Sequence, residues 1–255
     1  MNNPNPTERF SDRAGHYELY RPTYPAALLE FMEGNLGLTP SSVVADIGAG
    51  TGLLSRLFLD HGNTVHAVEP NAPMRQSAEK NLGHFPGYTS HGTQAEDTGL
   101  PSTSIDLIVV GQAFHWFEVE PTRREFRRIL RPGAWVALVW NMRQKASTPF
   151  LSEYEDLLCR LGLGYPVTTS DPQTGGLSRN FFPPGRERTT SLPHFQDLNL
   201  EALRGRLLSC SYAPLPGHPN HTPMMRELDA LFEKHQSSGS VRIIYDTLVH
   251  YGQLG

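Results

Sequence analysis

Apolar and polar positions along the chain follow two periods, and the switches between them mark its elements. Within Arg9–Tyr20, Tyr17 and Tyr20 are three apart and share a face if the segment is helical. Pro22 disfavours helix at Arg21. Pro25 then opens a predicted helix through Leu28, Leu29 and Phe31 to about Met32, stopped by Gly34 and Gly37. From Ser41 short apolar runs take over: Val43–Ile47, Val65–Val68, Tyr88–Gly92, Ile105–Val110 and Trp135–Trp140 read as strands. Between them Leu53–Leu59, Pro73–Leu82 and Thr122–Leu130 carry helical spacing. Strands alternating with helices predict a parallel sheet covered on both faces.

Past Arg143 the pattern loosens. Phe150–Leu161, Leu200–Leu208 and Met224–His235 read as helices, residues 162–186 as loop, and Ile243–Tyr251 as a closing strand. Linker signals are few. The reading is one domain over residues 1–255: an N-terminal cap (1–36), a core (37–143), a helical insertion with the sheet-edge region (144–240) and the closing strand (241–255).

Charge and cysteine content narrow the function classes. Lys and Arg number 22 against 26 Asp and Glu, a net charge of −4, which speaks against a phosphate-neutralising surface and a nucleic-acid partner. Arg123, Arg124, Arg127, Arg128 and Arg131 cluster, but their spacing fits the solvated side of the helix that buries Phe126, Ile129 and Leu130. The two cysteines, Cys159 and Cys210, exclude a disulfide scaffold, and no set of Cys and His has metal-ligand spacing; His218 and His221 sit alone in a Pro-rich loop. No apolar run has the length of a membrane span. The opening lacks a basic-then-apolar pattern, so the expectation is a soluble, cytoplasmic protein with no membrane partner and no metal.

Chemistry concentrates where the first strand meets its helix, at Asp46-Ile47-Gly48-Ala49-Gly50-Thr51-Gly52. Glycines there allow a sharp turn and the close approach of a ligand to the backbone. The dinucleotide fingerprint wants a third glycine where this chain has Leu53. Asp46, beside the loop, disfavours a pyrophosphate and favours a cationic amine. An NAD-dependent oxidoreductase is therefore the weaker alternative.

The loop resembles motif I of the class I S-adenosylmethionine-dependent methyltransferases. Further segments are similar to that family in order: Glu69 ending the second strand, Gln94-Ala95-Glu96-Asp97 with Leu100-Pro101, Ser104–Val109, and Arg128-Ile129-Leu130-Arg131-Pro132-Gly133. Tyr17–Pro25, Gln112–Phe117 and the C-terminal Tyr245–Leu254 look like a small-molecule branch similar to trans-aconitate methyltransferase-like (methyltransferase type 11) proteins. The resemblance implies an α/β, doubly wound, seven-stranded, mostly parallel Rossmann-like sheet, whose last strand returns to the sheet edge. It implies methyl transfer from S-adenosylmethionine, leaving S-adenosylhomocysteine, to a small-molecule acceptor. A non-catalytic S-adenosylmethionine-binding protein is the alternative of another class.

On this resemblance Glu69 accepts the ribose hydroxyls, Asp46 favours the ammonium, and Gly48 and Gly50 pass backbone along the methionine half. Pro70 and Met74 line the adenine slot, and Ala95 and Glu96 read its edge. Gln112 points into the site from the end of the fourth strand, and Tyr20 and Arg21 close the cofactor from the cap, with the planar fork of Arg21 on the cofactor carboxylate. His115 is the candidate general base. Tyr24, Trp116 and Arg143 are the candidate acceptor contacts, with Arg143 gripping a carboxylate. Phe114, Trp116 and Phe117 read equally well as packing under the cap.

Overall fold

The computed structural model describes residues 20–165 and 180–255; the predicted Tyr17 contact lies outside them. Seven strands form one sheet in the order β3-β2-β1-β4-β5-β7-β6. They are β1 (Val43–Ile47), β2 (Thr64–Val68), β3 (Tyr88–His91), β4 (Ile105–Gly111), β5 (Leu130–Arg143), β6 (Arg188–Leu198) and β7 (Val241–Gly252). β1 to β5 run parallel, whereas β7 is antiparallel to β5 and β6 to β7. The helices are α1 (Ala27–Leu36), α2 (Leu53–His61), α3 (Ala72–Leu82), α4 (Val119–Ile129), α5 (Pro149–Leu161), α6 (Leu200–Leu208) and α7 (His221–His235).

The central strands read as nearly unbroken apolar runs because both faces are covered. Ile47, Ile108, Val110, Leu138 and Trp140 pack with Phe126 and Ile129 of α4. The alternate residues Val44, Val65, Leu107, Val109 and Val139 pack with Leu28 and Met32 of α1 and with Leu54 and Phe58 of α2. Strand register also decides what overhangs the carboxyl edge. Gly111, the last residue of β4, pairs with Val139, while β5 runs on to pair Arg143 with Tyr245 of β7. On that overhang α5, α6 and α7 build a second core around Tyr154, Leu207, Leu228 and Tyr245.

Several elements differ from the sequence reading. β6 is a strand where none was expected. Its side chains are mostly exposed, it carries Pro193, and it sits at the sheet edge, where a residue without an N–H is tolerated. β7 is consequently an inner strand and not the edge. β5 begins at Leu130, so Arg131-Pro132-Gly133 runs as irregular strand, with a register shift opposite Ile105 and Leu107, and not as a free turn. α1 continues through Gly34, and Gly37, at φ 71°, ends it.

In the arginine cluster on and after α4, Arg124, Arg127, Arg128 and Arg131 are exposed, as the spacing predicts, and all but Arg124 also reach partners within the chain. Arg123 donates to Phe181 O at 2.7 Å and Arg127 to Leu254 O at 2.8 Å. Arg128 pairs with Glu125, and Arg131 with Asp106. These contacts pin the C-terminal strand and the loop before β6 to α4. No described helix is long and apolar enough to cross a membrane, and no metal-ligating cluster occurs among the described residues.

Candidate functional site

The Gly48–Gly52 loop leaves β1 and enters α2, and three of its residues hold positive φ: Gly48 at 72°, Gly50 at 58° and Gly52 at 84°. The glycines have different reasons. A Cβ on Gly48 would stand 2.5 Å from Ala113 Cβ, so the loop closes against the segment after β4 only without a side chain. At Gly50 the nearest atom to such a Cβ is Met74 Sδ, 3.9 Å away. The space in front of Gly50 is therefore open, and a ligand can approach its backbone there.

Glu69 organises this loop from the end of β2. Its Oε2 accepts the Gly50 N–H and its Oε1 the Asn71 N–H, each at 2.8 Å. Arg75 Nη1 donates to Glu69 O at 2.9 Å and fixes the turn from behind. Burial pushes the Glu69 carboxyl up from its ordinary range, while the Asn71 and Gly50 amides and the Arg75 charge pull it down. Asn71 caps α3 through Met74 N at 3.0 Å, which sets Met74 beside Gly50.

Asp46 is fully buried. Its Oδ2 accepts from Ser55 Oγ at 2.6 Å, whereas Oδ1 has no partner. Burial raises its carboxyl to about 7; the Ser55 bonds oppose this, and the Glu69 charge adds to it. An unpartnered carboxylate oxygen beneath a glycine loop calls for a cationic donor or a bridging water. An open backbone at Gly50, an acid at the end of β2 and an orphaned oxygen on Asp46 together fit the glycine-loop end of S-adenosylmethionine.

Gln112 follows β4 in the left-handed region, at φ 60°, which a residue with a side chain adopts at a cost. Its N–H bonds Val139 O at 2.9 Å and its Nε2 faces Asn141 O at 3.4 Å, so it stays at the carboxyl edge. Phe114-His115-Trp116 forms a single 3-10 turn there. Phe114 is buried against Phe181, with ring centroids 4.8 Å apart, and is packing. Trp116 instead stays 38% exposed, with its ring 4.7 Å from His115. The strap of residues 20–24 touches this edge. Tyr20 lies over Gly205 of α6, Tyr24 lies over Gly111, and Thr23 O accepts from Asn141 Nδ2 at 2.9 Å.

Three residues depart from their expected roles. Glu96 was expected to read the adenine edge, but its Oε1 accepts the Glu118 N–H at 2.8 Å and faces Thr122 Oγ1, capping α4. Ala95 beside it is buried. Arg21, expected on the cofactor carboxylate, donates Nη2 to Ser209 O at the end of α6, 3.0 Å away. Arg143, expected to grip an acidic acceptor, ion-pairs with Glu155 and donates to Tyr165 Oη at 2.9 Å. The long β5 carries Arg143 past the ligand edge into the helical insertion, where a carboxylate of α5 already waits. Pro70 lies in the turn that Arg75 holds, its O 3.4 Å from Arg75 Nη1. Ser55 and Arg75 were not singled out from the sequence; each looks like an ordinary polar residue on a helix.

Residues 45–138 match the model of a methyltransferase domain. An uncharacterised methyltransferase of Schizosaccharomyces pombe is 31% identical over 156 residues, 60% of this chain and 61% of that protein, so that match spans less than two thirds of the relative. An uncharacterised methyltransferase-like protein of the same yeast is 25% identical over 94% of this chain and 93% of its own length. A solved structure of a candidate type II methyltransferase from Anaeromyxobacter dehalogenans superposes with a TM-score of 0.71 at 24% identity, covering 92% of this chain and 98% of that one, a likeness of fold. The strand order, the antiparallel β7 and the glycine loop agree with these matches, and residues 45–138 are similar to a methyltransferase domain.

Proposed function

We propose that the protein transfers a methyl group from S-adenosylmethionine to a small-molecule acceptor held between the carboxyl edge of β4 and β5 and the helical insertion. The observation that carries this reading is the Glu69 carboxylate, which is fixed by two backbone N–H groups beside the open face of Gly50. A carboxylate held in place by its own loop accepts ligand hydroxyls without reorganising. When bound, S-adenosylmethionine supplies a methyl on a cationic sulfur, whose leaving group is a neutral thioether.

The chain's own part is binding, orientation and exclusion of water. Asp46 Oδ1 receives the ammonium directly or through a water, and Gly48 passes backbone along the same half. Met74 and Pro70 flank the adenine side, Ala95 borders it, and Gln112 faces the site from the edge. The strap bearing Tyr20 and Tyr24 closes over the edge, and it is tied to β5 through Thr23 and Asn141. Exposed Trp116 offers an aromatic face to a cation, an interaction of about 0.5–2 kcal/mol. His115, beside it, takes a proton where the acceptor is a phenol or an amine; a carboxylate acceptor has no proton to lose.

The test is calorimetric titration with S-adenosylmethionine and S-adenosylhomocysteine, followed by a radiolabel transfer screen across acids, phenols and amines. Cofactor binding with transfer to at least one class is the expected result. Binding without transfer to any class favours the non-catalytic alternative. No binding overturns the reading. His115→Gln should slow transfer to a phenol or amine with cofactor affinity unchanged.

A further inference from the structure

Among the described residues other than glycine, only Thr103, Gln112 and Ser238 hold positive φ. Thr103 and Ser238 are exposed turn residues, whereas Gln112 is half-buried and follows directly on β4, in the middle of the sheet. A side chain at φ 60° costs energy that a glycine would not, and strain of this kind at a ligand edge points to a use for the side chain.

The carboxamide of Gln112 has a fixed orientation. Asn141 O is a carbonyl and can only accept, so Gln112 turns Nε2 to it, at 3.4 Å, and Oε1 away from it. No described residue donates to Oε1. Asn141 is itself held: its Nδ2 donates to Thr23 O of the strap at 2.9 Å, and its Oδ1 accepts from Thr247 Oγ1 at 2.6 Å. The Gln112 N–H goes to Val139 O at 2.9 Å, so both of its bonds run to β5. The glycine loop lies on the other side of β4, where Ala113 and not Gln112 meets Gly48. Gln112 thus turns to the β4–β5 side, where the acceptor is placed, and away from the cofactor loop to which the sequence reading gave it.

The edge is open at this point. Gln112 is half-buried, and Trp116 in the turn that follows is 38% exposed. Arg143, the cation expected here, pairs with Glu155 instead. What Gln112 offers at this edge is a neutral oxygen that accepts a hydrogen bond.

We infer that Gln112 Oε1 accepts a hydrogen bond from the nucleophilic atom of the acceptor, and so selects a hydroxyl or an amine that carries a proton. The inference rests on the proposed methyl transfer and gives its acceptor a chemical class. A carboxylate would set lone pairs against the lone pairs of Oε1, and an ether or a tertiary amine would leave Oε1 without a donor. Holding the O–H or N–H on one side of the heteroatom leaves a lone pair free on another. That lone pair forms the new bond to the methyl carbon while the carbon–sulfur bond breaks, its electron pair staying on the sulfur. The proton then passes to His115 or to water; a carboxamide oxygen is no base at neutral pH, so Gln112 orients the acceptor and takes no proton. A hydroxyl loses its only donor on methylation, so the same contact favours release of the product.

The experiment uses the full chain, saturated with S-adenosylhomocysteine, at pH 7. Phenol and aniline, flat probes suited to the exposed Trp116 ring, are titrated by magnetic resonance against anisole, N,N-dimethylaniline and benzoate. The expected result is that phenol and aniline bind about 10-fold more tightly than the other three. Gln112→Leu should erase that preference with S-adenosylhomocysteine affinity unchanged. Gln112→Gly should erase it too while melting at or above the wild-type Tm, because glycine relieves the positive φ; it decides the matter if Gln112→Leu does not fold. Failure of phenol and aniline to bind, equal or tighter binding of the other probes, or a preference that survives the substitution would overturn the assignment. Weaker S-adenosylhomocysteine binding in Gln112→Leu would return the residue to the cofactor, and a Tm well below wild type in Gln112→Gly would make its side chain a structural prop. Absence of S-adenosylhomocysteine binding by the wild type would instead overturn the methyltransferase reading.

Discussion

Removing the Glu69 carboxylate tests the cofactor site and the loop together. Glu69 is 8% exposed and accepts two backbone N–H bonds of 2.8 Å, from Gly50 and Asn71. Hydrogen bonds to a charged group contribute about 1.5–3 kcal/mol each. Glu69→Ala leaves two amides without an acceptor, but the loop is only partly buried and water replaces some of the loss. The expected destabilisation is about 1–3 kcal/mol, a fall in Tm of roughly 2–10 °C for a chain of this size. Affinity for S-adenosylmethionine should fall further, by about 10- to 100-fold, because the ribose hydroxyls lose a charged acceptor and the loop loses its shape. Glu69→Gln separates the two effects. The amide oxygen keeps one of the two backbone N–H bonds while its NH2 faces the other N–H, so only part of the stability returns, and the charged acceptor stays lost. The assay is calorimetric titration on variants whose fold is confirmed by circular dichroism and whose Tm is measured separately. Wild-type affinity in either variant would show that Glu69 shapes the loop without touching the cofactor.

Asp46 gives a pH prediction. Its carboxyl sits near 3.8 unfolded and about 7 folded, so ionisation is disfavoured in the folded state. Its effect is most favourable below the unfolded value and becomes a growing penalty as pH rises from about 4 through about 7. Urea melts should show stability falling across that window, and Asp46→Asn should flatten it; an unchanged profile would refute the assignment. A cationic ligand holds Asp46 ionised, so cofactor binding should release about half a proton at pH 7, measured by calorimetry in buffers of different ionisation enthalpy. Arg143→Ala breaks a largely buried pair with Glu155 and should cost about 3 kcal/mol by urea denaturation, leaving S-adenosylmethionine affinity intact. Deleting residues 1–25 removes the strap contacts of Tyr20, Arg21 and Thr23. The core should still melt cooperatively but lose most cofactor affinity; binding as tight as in the full chain would make the strap mere packing.

The sequence determined the parallel half of the molecule, because each of its elements carries its own local signal. Val43–Ile47 is covered on both faces and so reads as an apolar run; Gly37 and Gly62 end helices at positive φ; Pro and Asn mark the start of α3. The glycine loop was legible for the same reason, since a sharp strand-to-helix turn demands specific residue types at fixed spacing; Glu69 stood out only through the resemblance to the methyltransferase family. What the sequence hid depends on partners distant in the chain. β6 alternates between exposed and half-buried side chains and becomes a strand only through its ladder with β7. Glu96 reads as an adenine-edge acid until α4 is seen to present its N-terminus to it. Arg143 ends β5 and Arg206 lies on α6 of the helical insertion. Only the tertiary structure gives the first a carboxylate from α5 and leaves the second buried among phenols and a thiol, because the charge balance of a buried cation is set by which helices fold over it.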